Sequence, residues 1–182
     1  YKDSVISEVV TKGIENNAKM INSHIEWIGN VPDHWKIRRL AVIGKFSKGK
    51  NISKQDLTET GYPVILYSHL YTSYEQTTSK INYFISKENA YSKTIISNGS
   101  ILFTSSGETI EEIGKTLLYN GKEEIAIGGD IVIFQLNNKF ENNLEFFSYF
   151  LNSKICQDKK SSMSRGDIVV HIYKKQIREI RI

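Results

Sequence analysis

The apolar residues of this chain fall in short runs, the longest unbroken ones being about four residues, such as 131–134. Runs of that length, bounded by Gly, Asn and polar clusters, are the signature of short buried strands. No stretch approaches the roughly 20 apolar residues that span a bilayer, so no membrane-crossing helix is expected. Helical periodicity surfaces in only two or three places. The pattern therefore predicts an α+β fold, a twisted mixed β-sheet of many short strands with two or three helices. At 182 residues the chain is one domain's worth, long enough for a full core. With 40% apolar residues and 2 prolines, collagen-like chains and wholesale disorder are excluded.

Residues 1–12 read as a helix whose stripe carries Val5, Val9 and Lys12, stopped by Gly13. Residues 14–36 read as a connector anchored by Ile25, Trp27 and Ile28. Strand character is expected from Trp35 through Ile43, and then at 63–67, 81–85, 100–104, 115–119, 131–136 and 168–172. Ser53 with Asp56, and Ser86, are expected to cap short helical turns. Asn120-Gly121-Lys122 reads as a hairpin turn. The clearest helix runs from Asn142 to about Asp158, with Leu144, Phe147, Leu151 and Ile155 on one face, and Ser161 to Gly166 reads as a polar loop.

Catalytic patterns fail on spacing. Gly107 and Gly114-Lys115-Thr116 imitate a phosphate loop, but six residues separate the glycines where four are needed, and Glu108, Glu111 and Glu112 would repel phosphate. Pro32 and Pro63 are too far apart for the Pro-Pro-aromatic grip of an adenine methyltransferase. Asp158-Lys159-Lys160 lacks the partner acid of a metal-dependent nuclease. His24, His34, His69 and His171 have no metal-ligand spacing, and His171 reads as a hydrogen-bonded core residue. The one cysteine, Cys156, forms no internal disulfide and suits a reducing, cytoplasmic setting.

The net charge is +4, from 24 basic and 20 acidic residues, so placement matters more than the total. Three polar loops gather the cations. The first holds Lys48, Lys50, Asn51 and Lys54. The second holds His69, Tyr71, Ser73, Tyr74 and Gln76, and the third Lys159, Lys160 and Arg165. Lysine and arginine attract phosphates without regard to sequence, hydroxyls fix register, and Asn, Gln and Arg can pair with base edges. The same residues on an ordinary wet surface would bind nothing.

Ser4 to Gly13 resembles the end of the helical spacer in specificity subunits of type I restriction-modification systems. Ser23-His24-Ile25-Glu26-Trp27-Ile28-Gly29-Asn30-Val31-Pro32-Asp33-His34-Trp35 resembles the entry to a target-recognition domain of that family. Gly99-Ser100-Ile101-Leu102-Phe103-Thr104-Ser105-Ser106-Gly107, Ile113-Gly114-Lys115 and 166–172 are similar to its later blocks, in the same order. His24 stands where glycine is common there, and Ser100 where aspartate is common.

The resemblance implies a target-recognition-domain-like fold over 37–182, a connector over 14–36 and the spacer's end over 1–13. The chain would be a single recognition domain, by its order the C-terminal one. It implies a non-catalytic subunit that reads half of a split duplex DNA site. Partner methyltransferase subunits would use S-adenosylmethionine, and the restriction subunit ATP and Mg²⁺, with no cofactor in this chain. Ser105 and Ser106 join the DNA-contact candidates, while Trp27, Trp35, Phe147 and Phe150 are expected to pack. The competing expectation is a protein-interaction module that docks partner subunits through the connector and the helix begun at Asn142.

Overall fold

This computed structural model describes residues 2–15, 17–166 and 169–182. Tyr1 of the expected first helix, and Asp167 and Ile168 of the last block, lie outside the described residues. Helix α1 (Lys2–Lys12) leads into the strands β1 (Met20–Asn22) and β2 (Asn30–Pro32). The turn of helix α2 (Leu40–Ile43) precedes β3 (Gly44–Lys48), β4 (Leu57–Thr58) and β5 (Tyr62–Ile65). Then come α3 (Tyr67–Thr72), β6 (Thr77–Thr78), β7 (Phe84–Ile85), α4 (Lys87–Ala90), β8 (Thr94–Ile96), β9 (Ser100–Thr104) and β10 (Ser106–Gly107). The chain continues through β11 (Thr116–Tyr119), β12 (Ile125–Ile127), β13 (Ile131–Leu136), α5 (Leu144–Asn152), α6 (Lys154–Met163), β14 (Val170–His171) and α7 (Lys174–Ile177).

While β1–β2 and β10–β14 pair separately, ten of these strands form two five-stranded mixed sheets. The first is ordered β3-β13-β9-β11-β6, parallel only between β11 and β6; the second is β4-β7-β5-β12-β8, parallel only between β5 and β12. β11 and β12 belong to different sheets, so Asn120-Gly121-Lys122 is not a hairpin turn but the crossing from one sheet to the other. Gly121 is required there, because a Cβ would stand 2.6 Å from the Ser79 carbonyl oxygen.

Side-chain alternation along the central strands builds three stacked cores. Ile101 and Phe103 of β9, with Val132 and Phe134 of β13, face α1, α5, α6 and α7, in a layer that includes Val10, Phe150, Leu151 and Ile177. Leu102, Ile131 and Ile133 face the other way and meet Ile65, Ile125 and Ile127 of the second sheet. Val64 and Ala126 then point out of the second sheet onto Leu66, Ile85 and Ala90. A strand buried on both faces has no polar side to show, which is why these segments read as unbroken apolar runs.

The expected helix from Asn142 is divided. Asn143 caps α5 without a side-chain hydrogen bond, and α5 stops at Asn152. Ser153, extended at ψ 151°, donates its hydroxyl to the Phe150 carbonyl at 2.6 Å and accepts the Cys156 amide at 3.4 Å. That hydroxyl ends one helix and starts the next. α6 then continues to Met163, so Ser161 to Met163 are helical rather than loop. Residues 40–43, expected in a strand, form α2 because Leu40 and Ala41 donate to Ile180 and Arg178 of the chain's end, outside any sheet.

Trp27 packs on Phe150 at 6.1 Å between ring centres and Trp35 meets Phe146 edge-on at 5.5 Å, so both tryptophans anchor the connector to α5. His24 sits in the left-handed region at φ 57°, its amide held by the Asn22 side-chain oxygen at 2.7 Å. Glycine adopts that conformation without steric cost, whereas a side chain such as that of His24 adopts it less readily.

Candidate nucleic-acid interface

Two recesses meet at Lys48, the last residue of β3. The first is lined by Lys48, Lys50, Asn51, Ser92, Lys93 and Gly129. Its floor depends on Gly49, whose backbone lies so close to Gly128 that a Cβ would overlap the Gly128 carbonyl oxygen at 1.8 Å. The Lys50 ammonium donates to the Ser92 carbonyl at 3.0 Å and the Lys93 ammonium to the Asn51 carbonyl at 2.6 Å, which draws the two loops together.

The second recess adds Ser105, Ser106, Asp130, His171, Tyr173, Lys174 and Lys175 to Lys48. Ser106 and His171 are opposed in the two-stranded pair β10–β14, and the Ser106 hydroxyl lies 3.1 Å from His171 Nδ1. Asp130 is the acidic group among these lining residues, 3.9 Å from Lys48. It holds the left-handed conformation at φ 58°, which Asp and Asn tolerate. The Ser105 amide donates to the Asp130 carbonyl at 2.8 Å, and the Ser105 carbonyl accepts from Ile172 at 3.1 Å. The two recesses thus meet at Lys48, with Lys50 and Lys93 lining the first and Lys174 and Lys175 the second.

Of the residues picked from sequence, Lys48, Lys50, Asn51, Ser105 and Ser106 assemble here, and Arg165 is bridged in antiparallel register to His171. Lys54, Ser73 and Lys159 line neither recess. Five others are taken up by the fold. The Lys160 side chain is fully buried, its ammonium donating to the carbonyls of Gly114 at 2.7 Å and Leu151 at 2.9 Å and to the Thr116 hydroxyl at 3.3 Å. Three donors meet three acceptors, and burial pushes its pKa down to about 8. Lys160 therefore holds no phosphate. Together with Gln157 and Ser161, which donate to the carbonyls of Ile113 and Ile110, it clips α6 to the loop before β11. The Ile113-Gly114-Lys115 block serves that clip: Ile113 is core and Gly114, at φ 72°, lies against the Lys160 side chain.

His69 is also buried. Its ring stacks on Tyr83 at 3.6 Å, its Nδ1 accepts the Leu66 amide at 3.2 Å, and burial lowers its pKa to about 4, so the imidazole is neutral. The Tyr74 hydroxyl and the Gln76 amide nitrogen are enclosed in the fold, without a hydrogen-bond partner among the described residues. Tyr71 is half-buried, its hydroxyl 2.7 Å from that of Thr104 and donating to the Ser106 carbonyl at 3.0 Å. It supports Ser106 from beneath instead of facing a ligand.

Sequence reasoning missed Lys93, Tyr173, Lys174 and Lys175 and set His171 aside as core. A signal was present: Tyr173-Lys174-Lys175 puts an aromatic and two cations directly after an alternating strand. Among the described residues no cluster of His, Cys, Asp or Glu is placed to hold a metal ion, and no helix is long and apolar enough to cross a membrane.

The sequence model of one family, described as type I restriction modification DNA specificity domain, matches residues 32–182. A putative type I restriction enzyme specificity subunit of Methanocaldococcus jannaschii is 28% identical over 125 residues, covering 68% of this chain and 29% of that protein. The HsdS subunit of Thermoanaerobacter tengcongensis superposes with a TM-score of 0.60 at 12% identity over 99% of this chain and 38% of that one. A chain from a structural study of complex assembly and conformational transition of the type I R-M system gives 0.62 at 13% identity, over 100% and 40%. The chain thus spans less than half the length of the relatives it matches, and at these identities the superpositions speak for the fold.

Proposed function

The chain belongs to the type I restriction modification DNA specificity domain family, and from that premise we propose that it reads one half of a bipartite duplex DNA site and directs partner methyltransferase and restriction subunits to it. The specificity subunit is the non-catalytic component of such systems, and its part is DNA sequence recognition. In the proposed complex the chemistry belongs to the partners, using S-adenosylmethionine, ATP and Mg²⁺ in the cytoplasm.

The observation that carries the reading is the set of five lysines lining two recesses that meet at Lys48, with Asn51 in the first and Ser106 in the second. Lys48, Lys50, Lys93, Lys174 and Lys175 set the register on the backbone by charge, and the smaller polar groups between them meet base edges. A single module of this kind buries only about 600–1,000 Å² on DNA, so the whole subunit is needed for tight binding. The test is duplex anisotropy with the full-length subunit and its methyltransferase partners across a salt series. Five engaged lysines give a slope of log affinity against log salt of about −4 to −5 from this half-site. Salt-independent binding would overturn the reading.

A docking role for the same chain is favoured by one feature. An apolar cavity of about 480 Å³ lies among α1, the β1–β2 hairpin, α5 and Ile182. Capture of a methyltransferase subunit by a chain that binds no duplex would select that role.

A further inference from the structure

His171 connects two sequence-distant candidates into one line. It is opposed to Ser106 in the β10–β14 pair and to Arg165 in an isolated antiparallel bridge, with the His171 and Arg165 backbones exchanging hydrogen bonds of 2.8 and 2.9 Å. Directly opposed residues project from the same face of a ladder, about 5 Å apart. Alternation along the chain does the rest. Val170 and Ile172 are buried, whereas His171 is half-exposed and Tyr173 exposed. Tyr173 stacks on the His171 ring at 6.1 Å and 24°. Ser106 engages His171 Nδ1, which leaves Nε2 without a hydrogen bond among the described residues.

Resting on the DNA-recognition reading above, we propose that Ser106, His171 and Arg165 form a transverse base-reading row, the ribbon that carries it entering the major groove. The groove admits such a ribbon, and Lys174 and Lys175 beside the row hold the flanking phosphates. Three cross-strand positions span about 10 Å, which at about 3.4 Å of rise covers three consecutive base pairs. Arg165 brings the two-pronged donor set that matches the N7 and O6 acceptors of guanine. His171 reads the neighbouring base through Nε2, and Tyr173 fixes the ring against rotation. The row commits its ligand to a short guanine-containing step in duplex DNA.

The experiment selects sites from a random-sequence duplex library with the full-length subunit in complex with its methyltransferase partners. The wild-type complex should enrich a defined half-site. Arg165→Ala should relax preference for one guanine, and His171→Ala for a base within the same three-base-pair window. Each should lose about 5- to 150-fold discrimination there and none at other positions. Ser106→Ala should act in the same window, a readout that loss of folding cannot imitate. An unchanged consensus in the Arg165 variant, whose exposed side chain can be removed without unfolding, would overturn the row. So would loss spread evenly over all positions. If the wild-type complex enriches no site, the DNA-recognition reading itself fails.

Discussion

The chain carries two Lys-Lys pairs, Lys159-Lys160 and Lys174-Lys175, that charge alone cannot tell apart. The structure gives them opposite work. Lys160 lies on the inward stripe of α6 with Cys156 four residues before and Met163 three after, and its ammonium fastens the loop ahead of β11. Lys174 and Lys175 sit on the single turn α7, held down by the fully buried Ile177, and face the recess beside Ser106. A lysine's role is decided by helix phase against the sheet, not by its charge or its neighbour.

The largest effect should come from breaking the buried member. Lys160→Ala leaves the carbonyls of Gly114 and Leu151 without their charged donor and opens a void, and should cost about 3 kcal/mol or more in urea unfolding. Wild-type behaviour with pH sharpens the point. The Lys160 pKa falls from 10.5 unfolded to about 8 folded. Between those values the unfolded chain holds the extra proton, so this residue makes stability rise with pH, by at most about 1.4 kcal/mol per unit. Unfolding titrations of wild type and Lys160→Met, compared from pH 7 to 10.5, should diverge over that window. Parallel curves would mean that the ammonium is not buried.

The exposed pair should behave in the reverse way. Lys174→Ala with Lys175→Ala should leave stability within about 0.5 kcal/mol yet weaken every duplex and flatten the salt slope by about 2. A loss of stability comparable to that of Lys160→Ala would erase the contrast. The smallest effect is expected at Asp130→Asn, which keeps a residue tolerant of φ 58° and removes the carboxylate beside Lys48. Affinity for all duplexes should rise about 5-fold, equivalent to about 1 kcal/mol of relieved repulsion. Anisotropy showing weaker binding would place Asp130 among the reading groups instead.

Much of the fold was legible because its causes are local. The runs at 100–104 and 131–136 announced a core strand and a further strand, Gly13 stops α1 at φ 76°, and the Ser53–Asp56 box closes as expected. The failures share another cause. The hairpin expected at 120–122 has good turn residues, but β11 and β12 find partners distant in sequence. The helix from Asn142 has continuous apolar periodicity, yet the Ser153 hydroxyl satisfies backbone groups on both sides and ends it. Cutting that helix at 158 also hid the stripe that would have marked Lys160 as buried. At the site, Lys48, Lys50 and Asn51 were visible as a polar loop, whereas His171 was dismissed because one face of its strand is core.

The amino-acid sequence by itself determined the class of fold, the family and the positions of the central strands. Those follow from run length, turn residues and ordered motifs, each confined to a few consecutive residues. Only the tertiary structure decided which sheet each strand joins, which lysines are buried and which polar groups share a recess. Burial and proximity depend on pairings between residues far apart in the chain, and Ser106 meets His171 through a strand pairing that neither segment encodes alone.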